Sequence, residues 1–250
     1  MEQHGACQPR SPSGTRKTRG FRYLGILGET TGATSSRTGS PAAAGRREPV
    51  VLLLLTLALL GLSAVGVKDR FTWFLEVAPI LIALPILVLT ARRFPLTPLA
   101  YRLIALHAIV LMVGGHYTYA EVPLGFWIRD LFGLARNHYD RIGHFLQGFV
   151  PAILVREVLR RKTPLRPGGW LFFLTTCVCL AASAAYEFVE WGTALLSGSA
   201  AMAFLGTQGD VWDTQWDMFL ALVGALTAQL LVTRLHERQL ARLPRSAPPL

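Results

Sequence analysis

The chain has 250 residues, of which 52% are hydrophobic and 16% charged, with a formal net charge of +10. Soluble domains carry about a quarter charged residues, so this composition excludes an ordinary soluble protein. The apolar residues gather in long blocks, and about 20 consecutive ones span a bilayer as a helix. The expected class is an all-α polytopic membrane protein, a bundle of six transmembrane helices with the lipid bilayer as its partner.

Residues 1–49 come first, rich in Ser, Gly, Pro and Thr and carrying eight Lys/Arg. Such a segment has too few large apolar residues to bury a core and reads as a disordered basic tail. Contact with anionic headgroups is favoured over nucleic acid, which is not expected as a partner. An over-extended gene start would look the same. Six spans follow at about 50–66, 71–91, 99–120, 142–160, 169–192 and 213–234, with a short basic tail over 236–250. The first could be read as a cleaved signal sequence, but five further blocks make a retained span simpler. Span two carries Glu76, Pro79 and Pro85, the pattern of a kinked helix with one polar contact. His107 in span three reads as a buried hydrogen-bonding residue. Cys177 and Cys179, two apart on span five, point to different helix faces and read as packing residues.

Positive charge in short loops marks the cytoplasmic side. Of the 25 Lys/Arg, only Lys68, Arg70, Arg129, Arg136 and Arg141 fall on the side opposite the termini. Both termini are therefore expected in the cytoplasm.

The unusual polar residues converge on the outer side. Span three ends in "GGHYTYAEV", and the connection "PLGFWIRDLFGLARNHYD" brings Arg129, Asp130, Arg136, Asn137, His138 and Asp140. Its "FWIRDLFGL" piece has an apolar face suited to a short interfacial helix. Span four starts "DRIGHFLQGF", with Asp140 and His144 four apart on one face. Span five ends in "YEFVEW", which places Glu187 and Glu190 on one face. The outer loop then delivers Gln208, Asp210, Asp213 and Asp217, the last two again four apart.

Taken singly, several of these have plain roles. Arg129, Arg136 and Arg141 can pair with nearby acids, Asp213 can cap span six, and the Tyr and Trp residues fit an aromatic belt. Together they ask for more. An ionisable group at the bilayer centre costs at least about 2.5–3.5 kcal/mol, and crowded carboxylates repel unless a proton, an arginine or a cation neutralises them. His144, Glu187, Glu190, Asp213 and Asp217 form a candidate set for a divalent cation such as Mg, Mn or Zn. His144, Glu187, Glu190 and Asp217 are also candidates for proton-transfer chemistry. Arg129, Arg141, His138, Asp140, Gln208 and Asp210 are the candidate substrate contacts. A cation- or envelope-lipid-binding site, with or without catalysis on a lipid-linked headgroup, is the first reading. A proton- or cation-coupled transporter of a small solute is the second, and a scaffold with structural ion pairs the third. No nucleotide-binding Gly-rich loop, GxSxG or zincin HExxH occurs in the chain.

The stretches "RNHYDRIGHFLQGFVPAILVRE", "SAAYEFVEWG" and "AFLGTQGDVWDTQWDMFLALVGA" resemble the YjdF-like family of bacterial inner-membrane proteins, over roughly residues 50–235. That resemblance implies the fold and an inner-membrane location. A more distant likeness is to VanZ-like membrane proteins of the cell envelope. There an acid–base pair precedes a His, as Asp140–Arg141 precede His144. A Glu-bearing helix and an Asp-led helix with a later Gly follow, as do Glu187, Asp217 and Gly224. Glu190 stands where that pattern has an amide, and Ala221 where it has Asn.

Overall fold

The computed structural model describes residues 41–197 and 202–243. Most of the expected basic N-terminal tail, residues 1–40, lies outside them, as do residues 244–250. The described chain is helical: α1 (Pro41–Ser63), α2 (Arg70–Thr90), α3 (Pro98–Tyr117), α4 (Pro123–Phe132), α5 (Tyr139–Lys162), α6 (Gly169–Ser197), α7 (Met202–Leu205), α8 (Asp213–Leu231) and α9 (Thr233–Leu240), with a 3-10 turn at Tyr119–Glu121.

Local chemistry sets the ends. Asp69 caps α2 by accepting from the Phe71 and Thr72 amides at 3.2 and 3.0 Å, which satisfies donors left free by the first turn. Thr97 caps α3 ahead of Pro98, and Pro123 opens α4, a position where a missing N–H costs nothing. Gly133 ends α4 at φ 61°, in the left-handed region.

Four helices, α2, α3, α5 and α6, are long and apolar enough to cross a membrane. Counting α8 and α9 as one span bent by 61° makes five among the described residues. Large apolar side chains face outward: Leu54 and Leu62 on α1, Ile82 and Leu89 on α2, Phe188 and Leu196 on α6. A soluble monomer rarely exposes such continuous apolar surface; here it faces lipid. A helix pairs most of its backbone groups internally, the condition for crossing hydrocarbon, although Pro79 and Pro85 in α2 and Pro151 in α5 each remove one donor.

Polar and small residues hold the interior. The closest seam is α5 against α8, and α6 packs on both. A Cβ at Gly148 would fall on the Ala221 carbonyl, and one at Gly224 on the Phe145 carbonyl. Two glycines thus let the backbones touch, as small residues do between membrane helices. On the other side α3 packs against α1, α2 and α5, joining the two halves.

The segment expected as a basic tail from residue 236 folds instead as α9 as far as Leu240. His236 is fully buried, and its Nε2 donates to Glu157 Oε2 at 3.1 Å. Glu237 accepts from Arg156 at 2.6 Å and Arg160 at 3.3 Å, while the Leu99 amide donates to Gln239 at 2.8 Å. Charge alternation hid this packed helix, because its one inward residue is a histidine.

Candidate functional site

Two connections fold over the acidic end of the bundle. Asn137, buried between α4 and α5, donates from Nδ2 to the Val122 carbonyl at 3.0 Å and accepts from the Tyr139 amide at 3.0 Å. Gly125 leaves it room, since a Cβ there would overlap the Asn137 amide. Gln208, at φ 49°, clasps the Asn137 backbone from the second loop: its Oε1 accepts from the amide at 3.0 Å and its Nε2 donates to the carbonyl at 2.8 Å.

Arginines lock these loops to α8. Arg136 donates to Asp213 at 2.9 Å, to Asp210 at 3.3 Å and to the Thr207 carbonyl at 2.9 Å. Arg141, on the first turn of α5, reaches Asp210 at 2.9 Å, Asp213 at 3.2 Å and Asp217 at 3.2 Å. The planar guanidinium fork makes this multiple pairing possible. Arg141→Lys keeps the charge but loses the fork, and is expected to cost about 1.5 kcal/mol. Thermal denaturation in detergent reads the loss, and an unchanged melting temperature would refute the role. His138, beside these arginines and outside the spans, has its pKa lowered by partial burial and by Arg136 and Arg141.

Beneath this lattice lies His144, held by α5 one turn inward of Asp140. Its Nδ1 lies 2.9 Å from Gln147 Oε1, an acceptor-only atom, which assigns the proton to Nδ1. Ser183 donates to the same oxygen at 3.4 Å. The other ring nitrogen, Nε2, then turns to Asp140 at 3.4 Å and to Asp217 at 3.8 Å. One ligand atom from each of Asp140, His144 and Asp217 lies within 4.8 Å of the other two, all three residues being buried. Glu187, on α6, places Oε1 3.9 Å from His144 Nδ1, and neither of its carboxylate oxygens has a hydrogen-bond partner among the described residues. Carboxylates aimed at an imidazole lone pair need a proton or a cation between them. A metal-ligating histidine usually donates its other ring N–H to a carboxylate, a backbone carbonyl or water, and the Gln147 oxygen takes that place here.

The expected residues thus divide. Asp140, His144, Glu187 and Asp217 come together, whereas Asp213 and Asp210 are taken by the arginines. Asp140, expected among the substrate contacts, sits with the candidate ligands. Glu190 lies one turn beyond Glu187 and faces a neighbouring cavity with Tyr186. Arg129 pairs with the adjacent Asp130 at 2.7 Å on the exposed face of α4, outside the cluster. Gln208 serves the loop clasp. Neither Arg129 nor Arg141 is left free to hold an anion, since each is occupied by carboxylates of this chain.

Sequence reasoning missed Gln147, Tyr119 and Glu76 around this centre. Gln147 carried a signal, since it sits three residues after His144 and so one turn along the same helix face. Glu76 comes from a helix far away in the chain, and spacing gives no hint of it. The cavity they border has a volume of about 690 Å³ and is lined by α1, α2, α3, α5 and α6.

Comparison with known proteins agrees with this architecture. The family described as "Predicted membrane protein (DUF2238)" matches residues 48–238. The chain is 53% identical over 199 residues to the inner membrane protein YjdF of Escherichia coli (strain K12), covering 78% of this chain and 95% of that protein. No solved structure matches. With this identity and coverage, the chain belongs to that family of predicted membrane proteins and is an integral membrane protein.

Proposed function

We propose that this is an inner-membrane protein with six spans, α1 included, and both termini in the cytoplasm. Its outward end holds a divalent cation between Asp140, His144 and Asp217 and acts on an envelope lipid. The orientation rests on the Lys/Arg distribution, and the inner-membrane location on the name of the E. coli relative. The carrying observation is the buried convergence of three ligand atoms within 4.8 Å beside a Glu187 carboxylate without a partner.

In this reading Asp140, His144 and Asp217 are the ligands, and two carboxylates with one imidazole suit Mn²⁺ or Zn²⁺. Glu187 serves as the proton-transfer group and Glu190 faces the substrate side. Arg136 and Arg141 orient Asp213 and Asp217 instead of binding substrate. A coupled transporter would need polar groups leading onward, and past His107 and Gln147 the cavity walls are apolar apart from Thr56 and, at the far end, Tyr101 and Arg92. A scaffold of ion pairs would not leave the buried Glu187 carboxylate without a hydrogen-bond donor, 3.9 Å from the His144 ring.

The test is elemental analysis of detergent-purified protein dialysed against each cation. The wild type is expected to retain a stoichiometric divalent ion, His144→Ala and Asp217→Asn to lose it, and Glu190→Gln to keep it. A folded wild type without metal under every condition would sink the reading.

A further inference from the structure

The cavity beside this centre has two ends of different chemistry. Its lining runs from Glu76 to Ala91 on α2 and from Asp140 to Leu154 on α5, about 20 Å of helix at 1.5 Å per residue. Ile80, Leu84, Leu87, Ala108, Val150 and Leu154 make its walls apolar, Glu76, Tyr119, Asp140, His144, Tyr186 and Glu190 close the acidic end, and Tyr101 and Arg92 line the opposite one. Its volume of about 690 Å³ falls within the range of ligand cavities. The short α7 bridges α2 and α6, which form no packed seam with each other among the described residues.

The charge at the acidic end selects the ligand. Glu76 is buried and, like Glu190, has no hydrogen bond or ion pair in the described structure. Arg136 and Arg141 are committed to Asp210, Asp213 and Asp217. Glu76 and Glu190 have no cation of this chain beside them, and a buried carboxyl gives up its proton only next to an incoming positive charge. A phosphate alone would find no free cation at this end, whereas an ammonium head would be held by charge-assisted hydrogen bonds.

We infer that the cavity binds a long-chain amphiphile with an ammonium head, the tail lying between α2, α3 and α5 and the head at Glu76 and Glu190. The inference rests on the proposed function in setting the head at the edge of the Asp140–His144 centre. An aminophospholipid of the bilayer and a free long-chain amine present the same chemistry.

Native mass spectrometry of the detergent-purified full chain can separate these. The probes are dodecylamine, dodecyl phosphate, phosphatidylethanolamine and phosphatidylglycerol. Dodecylamine is expected to bind at least about tenfold more tightly than dodecyl phosphate, the worth of one charge-assisted contact. Phosphatidylethanolamine winning over phosphatidylglycerol identifies a bilayer lipid, and dodecylamine binding alone identifies a single-chain amine. Ala105→Trp, which fills the middle of the cavity, is expected to abolish binding. Glu76→Gln changes no volume and is expected to erase the amine preference while leaving metal content unchanged. It keeps the test open should the Trp variant misfold. Equal binding of amine and phosphate by the wild type, or an intact amine preference in Glu76→Gln, would overturn the inference. A metal-free wild type that still prefers the amine would overturn the cation reading alone.

Discussion

Glu157→Gln is expected to destabilise the protein by about 3–5 kcal/mol, although it lies at the far end of the bundle from the candidate site. Glu157 is fully buried and gathers four donors. The Thr97 amide donates at 3.1 Å, the Thr97 hydroxyl at 2.8 Å, Arg161 at 2.8 Å and His236 at 3.1 Å. These partners come from the start of α3, from α5 and from α9, so one carboxylate joins three elements. Arg161 also stacks over the Phe94 ring at 3.6 Å, which fixes its position. Neutralising the carboxylate leaves a buried guanidinium without its counter-charge, the costly half of a buried ion pair. The α9 helix, already bent by 61° from α8, loses its inward anchor. Thermal denaturation in detergent should show the loss, and trypsin should cut sooner at Arg234 and Arg238. Unchanged melting and unchanged cleavage would remove Glu157 from this role.

Gly148→Leu is expected to cost about 3 kcal/mol or more and to abolish cation binding at the same time. The new Cβ would coincide with the Ala221 carbonyl, and a helix backbone gives way far less readily than a side chain. The α5–α8 seam must open, which carries Asp217 away from Asp140 and His144. Gly143→Ala meets the edge of the Tyr119 ring at 2.9 Å and is expected to do less, because a ring can shift. Gly192→Ala finds nothing within 4 Å and serves as the neutral comparison. Melting temperature and metal content, measured together on the three variants, decide the matter. A Gly148→Leu protein that melts like the wild type would show that this crossing is not the close contact described.

Much of the architecture was legible because membrane helices announce themselves by length and hydropathy. The observed α2, α3, α5, α6 and α8 begin within a few residues of the expected spans, and the amphipathic "FWIRDLFGL" stretch forms α4. The site was legible only in part. Asp140 and His144 could be paired from their spacing, as could Asp213 and Asp217, because four residues return a helix to the same face. Which acids meet the imidazole and which meet arginines could not be read that way. Asp213 and Asp217 share a face of α8, yet Asp213 goes to Arg136 and Arg141 while Asp217 touches both Arg141 and His144. One turn of height separates those fates.

Composition and periodicity alone therefore determined that the chain is an all-helical membrane protein, where its long apolar helices lie, and that many of its acids and histidines gather at one end. Those properties are local: hydropathy over about 20 residues and the 3.6-residue turn suffice for them. Only the tertiary structure decided that Glu187 stands buried beside His144 without a hydrogen-bond partner, that Glu76 from a distant helix closes the cavity, and that Glu157 ties α9 to the bundle. Each of those depends on how helices distant in the chain approach one another, as Gly148 and Gly224 let the backbones of α5 and α8 do.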